Sequence, residues 1–356
     1  MELQSATKAQ TPPAHAQRRM AGTARMARMA ALRLRTRQIS LMAAGALLDG
    51  VSATIRRLPV QTCYAVSDQI IWTLGPLLRR VERVAEANFA RVVGPAAHAV
   101  AERSLRNYGR MAMDFLASRT MNADELLALV ETRGEDHFRA ALAQGHGVIF
   151  ALPHVGSWDV AAVFAQAYGC KLTIVTESDW ATELVAGSRL AHGVTLAPRD
   201  QSLRPLFRAL RRQECAVMLC DITPPGVQAA EVPFFGAPAR FPLGPARLSA
   251  ATGAPVLVIM SVRAADHRYI VEAQSALLPE RPADRSPDRA ARTHEADTAA
   301  IAMTAAIAAG FERIIRAYPD QWYPYHPVWS TSTPAAATND ASDAEGTSMV
   351  GALADV

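Results

Sequence analysis

Beyond residue 145, short apolar runs alternate with amphipathic segments. The runs predict buried strands at 147–152, 172–176, 194–197, 216–220 and 255–262. Helical periodicity fills the intervals, at 158–168, 203–212, 245–252 and finally 295–317. Continuous apolar strands separated by helices are typical of a parallel sheet that is covered on both faces. We therefore predict an α/β fold with a largely parallel sheet, and an antiparallel partner strand at 269–273.

The pattern before residue 145 is helical instead. Tyr108, Met111, Ala112 and Phe115 follow the spacing that places side chains on one face of a helix. Both ends of the chain lack an apolar period. We predict four regions: a disordered basic arm (1–37), an N-terminal helical part (38–145), an α/β core (146–329) and a disordered tail (330–356).

The charge is unevenly distributed. Residues 1–40 carry eight basic side chains and one acidic side chain, a net charge of +7, whereas the remaining 29 basic and 32 acidic residues give −3. A nucleic-acid reader needs a basic face on its folded domain, so we expect no nucleic-acid partner. A basic arm beside apolar segments suits an anionic membrane surface. A solubilising tail explains the arm equally well.

The segment after the arm is amphipathic. Between residues 38 and 80, charged residues interrupt every apolar run before it reaches the length of a membrane span. Interfacial helices are therefore expected here, with peripheral attachment to the membrane.

The four cysteines are too few for a disulfide framework and indicate reduced thiols. A signal peptide is not expected, because an apolar segment beginning near Ile39 would follow a very long basic region.

Candidate chemistry is concentrated between the first predicted strand of the core and the helix after it. His154, Ser157 and Asp159 lie within this short connection, at the crevice edge where open α/β sheets bind ligands. Ser157 is a candidate helix cap. The spacing lets the Asp159 carboxylate reach one ring nitrogen of His154, which leaves the other nitrogen free as a general base. A purely structural hydrogen bond is the alternative.

Three segments carry a family resemblance. Residues 153–159 (PHVGSWD) resemble the His-x4-Asp motif of the lysophospholipid acyltransferase superfamily, in the branch of lipid A and phosphatidylinositol mannoside acyltransferases. Residues 231–246 resemble the Phe-Phe-Gly segment of that branch, and residues 134–149 resemble its approach to the catalytic strand. The resemblance covers about residues 45–330.

The resemblance implies transfer of a fatty acyl group from acyl-CoA or acyl carrier protein to a lipid hydroxyl. We expect this reaction to need no cofactor and no metal. It implies that His154 is the general base and that Asp159 orients it. By position it also assigns substrate-binding roles to Glu177, Arg189, Glu231 and Arg240. The acceptor is expected to be a glycolipid, and the enzyme a bacterial protein on the cytoplasmic face of the plasma membrane.

Other functions remain open at this stage. Ser157 could serve a lipid esterase, although no G-x-S-x-G elbow surrounds it. A metal hydrolase using His154, Asp159 and Asp221 lacks a recognisable ligand pattern. A non-catalytic lipid-binding protein on the same scaffold is a third alternative. The aromatic run 322–329 suits either lipid contact or packing onto the domain, and packing is the more common use.

Overall fold

The computed structural model describes residues 40, 42–177, 182, 186–187, 189–190, 192–280 and 289–329. The predicted disordered arm (1–37) and tail (330–356) lie outside these residues. Contact density divides the chain into residues 1–48 and 49–356. A short apolar helix, α1, covers Met42–Ile55. All elements described below belong to the second unit.

Two long helices open this unit. Helices α2 (Val60–Val93) and α3 (Ala97–Ser118) form an antiparallel pair, joined by a short turn at Gly94–Ala96. Ion pairs and hydrogen bonds run along their interface, including Arg110 to Asp68 at 2.5 Å. A short helix, α4 (Ala123–Leu127), follows and is capped by Asn122. The predicted N-terminal helical part therefore has a helical hairpin as its main body.

A seven-stranded sheet forms the centre of the molecule, in the order β1-β9-β8-β2-β5-β3-β4. Its strands are β1 (Val130–Arg133), β2 (Val148–Leu152), β3 (Leu172–Thr176), β4 (Val194–Pro198), β5 (Cys215–Leu219), β8 (Val256–Arg263) and β9 (Tyr269–Ala273). All neighbouring pairs are parallel except β8–β9, which is antiparallel. The predicted α/β class and the antiparallel pair are confirmed.

Five further helices accompany the strands: α5 (Glu135–Leu142), α6 (Trp158–Gln166), α7 (Leu203–Arg211), α8 (Gly244–Thr252) and α9 (Arg289–Ala317). Central strand β2 is buried along its whole length. Its side chains alternate between two core clusters, with Ile149 and Ala151 in one and Phe150 and Leu152 in the other. The sheet is therefore covered on both faces, as its apolar strands predict.

Two features differ from the expectation. Strand β1 lies within the part predicted to be wholly helical and joins the edge of the sheet beside β9. A separate hairpin, β6 (Ala229–Phe234) and β7 (Ala237–Pro242), precedes α8. Its two-residue turn uses Phe235 and Gly236, both with positive φ, the backbone form that suits a tight hairpin.

Among the described helices, one segment, Thr293–Ala317 of α9, is long and apolar enough to cross a membrane. In this fold its side chains Ile307, Phe311 and Ile315 are buried in the core. Core packing thus accounts for much of its apolar character.

Candidate active site

The parallel register of β2 and β5 creates the site. Leu152 pairs with Leu219 at the carboxyl ends of these strands. His154 lies two residues beyond the first strand and Asp221 two residues beyond the second. Continuing the register therefore brings these two side chains together at the edge of the sheet, where open α/β folds bind ligands.

Asp221 holds His154 in place through two atoms. Its Oδ1 lies 2.6 Å from Nδ1 of His154, and its Oδ2 accepts a hydrogen bond from the His154 backbone N–H at 3.0 Å. Oδ2 also accepts from Nε1 of Trp322, at 3.0 Å. Burial alone would raise the pKa of Asp221, but the charge of His154 and these hydrogen bonds hold that pKa below its ordinary value. The carboxylate therefore stays ionised in the interior.

The His154 ring remains open to the outside. Its side chain is 27% exposed, against 2% for Asp221. With Nδ1 on the carboxylate, Nε2 has no hydrogen-bond partner among the described residues. The Trp158 ring packs against the imidazole in a T-shaped contact, with the centroids 5.5 Å apart. An oriented imidazole with one free nitrogen at an open edge is the geometry of a general base.

The loop between β2 and α6 is tightly fixed. Gly156 has φ of +62°, and a Cβ there would lie 1.9 Å from the carbonyl oxygen of Ser261. The N–H of Ser157 donates to the same oxygen at 3.0 Å. Only glycine fits this approach, because any side chain would collide with the β8 backbone. The loop therefore presents His154 from a rigid support.

The aromatic run near the C-terminal end packs back across this loop. We call residues 322–329 the aromatic strap. Val155 and Trp322 form an antiparallel bridge, and the Tyr323 N–H donates to the His154 carbonyl at 3.0 Å. Asn88 of α2 donates to two carbonyls of the strap, those of Pro324 and His326. The packing alternative for this run is thus the one observed.

The strap also brings a second imidazole towards the site. Burial lowers the pKa of His326, and the charge of His154 lowers it further, while Asp221 opposes the shift. This ring is therefore within electrostatic range of both residues and is neutral near pH 7.

Asp159 does not orient His154 in this structure. Its carboxylate accepts hydrogen bonds from Nε and Nη2 of Arg189, at 2.6 and 3.2 Å. Burial would lower the pKa of Arg189, but the Asp159 charge raises it, so the two form a charged pair. The expected contact is corrected: register places Asp221 against His154, whereas the helical turn places Asp159 against Arg189.

The remaining predicted residues form no described hydrogen bond or ion pair with the imidazole. Glu177 follows β3 at the same edge of the sheet and is paired with Arg199 at 2.9 Å. With strands about 4.8 Å apart, β3 is roughly 10 Å from β2. Glu231 and Arg240 face each other across the β6–β7 hairpin, and both are exposed. None of these three side chains has a described hydrogen bond to His154.

The Phe-Phe-Gly segment packs against the tryptophan that binds Asp221. Phe234 and Phe235 pack on the Trp322 ring, with centroids 6.2 and 6.5 Å away. The Nε1 of Trp329 donates to the Phe234 carbonyl at 3.1 Å. The segment therefore holds the tryptophan that in turn binds Asp221.

The alternative nucleophiles are less well placed. The Ser157 residue is only 3% exposed. Cys215 and Cys220 are both buried: a hydrogen bond with Cys170, together with burial, raises the pKa of Cys215, and burial raises the pKa of Cys220. The metal-hydrolase alternative requires His154, Asp159 and Asp221 to bind one ion. In this structure Asp159 is bound to Arg189 instead. Among the described residues, one group has metal-ligand spacing, Glu82, His98 and Glu102, on the partly exposed surface of α2 and α3.

The chain is similar in sequence to known acyltransferases. The chain is 35% identical over 185 residues to a phosphatidylinositol mannoside acyltransferase of Mycobacterium tuberculosis, across 48% of this chain and 58% of the relative. It is 30% identical over 255 residues to a protein of that name from Mycolicibacterium smegmatis, across 68% of this chain and 77% of the relative. The alignment thus spans little more than half of the tuberculosis protein. Residues 33–331 match the family model of bacterial lipid A biosynthesis acyltransferases. The chain belongs to this family.

Proposed function

We propose that this protein transfers a fatty acyl group from a thioester donor to a hydroxyl of a lipid acceptor, with His154 as general base and Asp221 as the residue that orients it. The observation that carries the proposal is the imidazole bound through Nδ1 to a buried carboxylate, with Nε2 free at the open edge of the sheet. Family membership supports the reaction class.

The reaction needs one proton transfer in each direction. Nε2 of His154 accepts the proton of the acceptor hydroxyl while its oxygen attacks the thioester carbonyl carbon. The tetrahedral intermediate then collapses, the C–S bond breaks, and the thiolate takes the proton from the imidazolium. The new ester and a free thiol are the products. Asp221 stabilises the imidazolium between these steps.

The start of α6 is our candidate for binding the oxyanion. The N–H groups in the first turn of a helix have no acceptor within the helix. The Ser157 N–H donates to the Ser261 carbonyl, and the Val160 N–H donates to the Ser157 carbonyl. The N–H groups of Trp158 and Asp159 are the remaining candidates near His154.

An apolar cavity next to α6 suits the acyl chain. It has a volume of about 270 Å³, and Val160 of α6 lies in its wall. The other walls come from residues 55–64 around the start of α2, the end of α3, helix α4 and residues 266–269 at the turn into β9. Its apolar lining includes Leu58, Cys63, Met113, Ala117, Met121 and Leu126. We assign the hydrocarbon part of the donor to this cavity.

The exposed face of α2 suits attachment to a membrane. The Trp72 residue is 76% exposed, and Val66, Ile70 and Leu77 are also exposed, on a separate stripe of the same helix about 120–160° around its axis. Three exposed arginines follow along the helix: Arg79, Arg80 and Arg83. Exposed apolar side chains accompanied by arginines are typical of an interfacial helix on anionic lipid. Peripheral attachment to the cytoplasmic leaflet is therefore part of the proposal.

The acceptor class follows from the relatives. The curated relatives are named for a mannosylated inositol lipid, and we propose a glycolipid acceptor. Either acyl-CoA or acyl carrier protein is compatible as donor. No resident metal or cofactor enters the proposed steps.

The test is an acyl-transfer assay with purified protein. Radiolabelled palmitoyl-CoA and a total mycobacterial lipid extract are the substrates, with palmitoyl-acyl carrier protein in a parallel reaction. We expect one newly labelled glycolipid, identified by mass spectrometry, and its loss with His154→Ala. Free fatty acid as the only product, or loss of activity with Ser157→Ala but not with His154→Ala, would overturn the proposal.

A further inference from the structure

A second concave site lies at the amino ends of the central strands, opposite the end that carries His154. It is an open groove of about 790 Å³. Its walls come from α7, from the loop at Gly145–His146 and from the end of α8 at Ala251–Thr252. These segments precede β5, β2 and β8 respectively, so the groove is at the amino ends of the strands. His154 and Asp221 lie at the carboxyl ends, and the two sites are therefore separated by the sheet.

Positive charge dominates this groove. Arg204, Arg208 and Arg211 of α7 line it together with His146, and no Asp or Glu does so among the described residues. The spacing of four and three residues puts the three guanidinium groups on one face of the helix. All three are exposed, and none forms an ion pair with a described carboxylate. By contrast, neighbouring Arg212 is paired with Glu214 at 2.7 Å.

The positive charge of this groove contrasts with the slight negative net charge of the chain after residue 40. After residue 40 the chain has more acidic than basic residues, 32 against 29. Like charges at these helical spacings repel one another. An anion bound between the three arginines would offset this repulsion. This arrangement therefore points to a bound ligand with several negative charges.

The rest of the lining is apolar. Phe207 and Leu210 lie between the arginines in sequence, and Leu203 begins the same face. Guanidinium groups bind phosphates in a bidentate manner and stack on planar rings. The groove thus combines phosphate-binding groups with a surface for a ring, and its volume is within the range of ligand sites.

We infer that this groove is a binding site for a soluble ligand that carries two or more phosphates on a ring system, such as a nucleoside diphosphate. We assign to it a ligand other than the acyl donor and acceptor, because the groove opens at the amino ends of strands about 16 Å long and His154 lies beyond their carboxyl ends, with the sheet between them. A membrane-bound ligand is disfavoured, since a membrane on this edge would hold the imidazole edge away from its lipid substrate.

Calorimetric titration of the full chain tests the inference. The probes are ADP and inorganic pyrophosphate. We expect saturable binding of both, at least tenfold weaker in the triple variant Arg204→Gln, Arg208→Gln, Arg211→Gln. A matched triple variant, Arg103→Gln, Arg133→Gln, Arg212→Gln, makes the same change in net charge with arginines that are paired with acids. Its affinity should stay within twofold of the unmodified protein.

Two further variants locate the ligand. Phe207→Ala should weaken ADP binding and leave pyrophosphate binding unchanged. His154→Ala should change neither, because the imidazole lies at the other ends of the strands. Absence of saturable binding, equal weakening by the two triple variants, or weakening by His154→Ala would overturn the inference. Binding of phosphatidylglycerol vesicles that depends on the three groove arginines, without binding of ADP, would also overturn it in favour of a membrane contact.

Discussion

His154 and Asp221 are 67 residues apart in the sequence and 2.6 Å apart at their nearest side-chain atoms. The sequence identifies the imidazole from its place between a strand and a helix. It does not identify the carboxylate, because local spacing favours Asp159, five residues away. The signal that was available is the register: His154 lies two residues beyond the predicted strand 147–152, and Asp221 lies one residue beyond the predicted strand 216–220. Choosing Asp221 requires knowing that these two strands are neighbours, which is a property of the whole sheet.

Arg189 shows the same limit. Its predicted role was substrate binding, but in the fold its charge is engaged by Asp159. Partners of a charged side chain depend on which elements meet, and a single sequence contains little information on that contact.

Cys170 provides a prediction about reactivity. A hydrogen bond from Cys215 lowers the pKa of Cys170 to about 7, although burial opposes this. Since the thiolate is the reactive form, alkylation by iodoacetamide should rise steeply between pH 6 and pH 8 and level off above. Mass spectrometry should find the adduct on Cys170 before the buried Cys215 and Cys220. Labelling of Cys220 first, or a midpoint near the ordinary pKa of a free thiol, about 8.5, would contradict this geometry.

At the scale of elements, the apolar strands of the core were predicted to within one or two residues. Those runs are buried on both faces, so their composition is decisive. Strand β1 was missed because Val130–Arg133 contains only one apolar residue and lies at the sheet edge. The β6–β7 hairpin was missed because Pro233, Pro238 and Pro242 argue against strands. It is a two-stranded ribbon, where proline is tolerated.

The aromatic strap should matter for turnover as well as stability. Trp322→Phe removes the Nε1–H that binds Asp221 and leaves a buried carboxylate oxygen with one donor fewer. We expect a loss of about 1–3 kcal/mol in the free energy of unfolding, and a fall in kcat with KM little changed. Trp329→Phe is the matched control, because it removes a bond to the Phe234 carbonyl instead. Equal effects of the two variants on kcat would show that Trp322 acts only through packing.

Helix α2 makes a separate prediction about membranes. Trp72→Ser removes the most exposed large apolar side chain of its exposed face. Co-sedimentation with vesicles of phosphatidylglycerol should weaken severalfold, because indole rings favour the interface. Leu278→Ser, also at an exposed position, is the control and should have no effect. Equal retention of the two variants on the vesicles would exclude α2 as the attachment surface.

At the scale of the molecule, the helical hairpin and the sheet enclose the proposed acyl cavity between them. Leu58 and Cys63, from the amphipathic segment that follows the arm, and Val160 of α6 lie in its wall. The contribution from the end of α3 required the fold, since only the antiparallel α2–α3 pair brings that end to the start of α2.

Filling this cavity should change the preferred donor. Ala117→Phe places a ring in the wall of the cavity, so shorter acyl-CoA donors should gain relative to palmitoyl-CoA by tenfold or more in kcat/KM. Ala112→Phe, on an exposed position of the same helix, is the control. An unchanged donor preference in Ala117→Phe would place the acyl chain elsewhere.

The most direct test of the account is a double-mutant cycle on His154 and Asp221, read by single-turnover acyl transfer. Because the carboxylate acts only through the imidazole, His154→Ala and Asp221→Asn should each slow the transfer, the first by about 10²–10⁴-fold. The double variant should be no slower than His154→Ala alone. Additive losses, or a His154→Ala enzyme that keeps more than a tenth of the rate, would contradict the proposed mechanism.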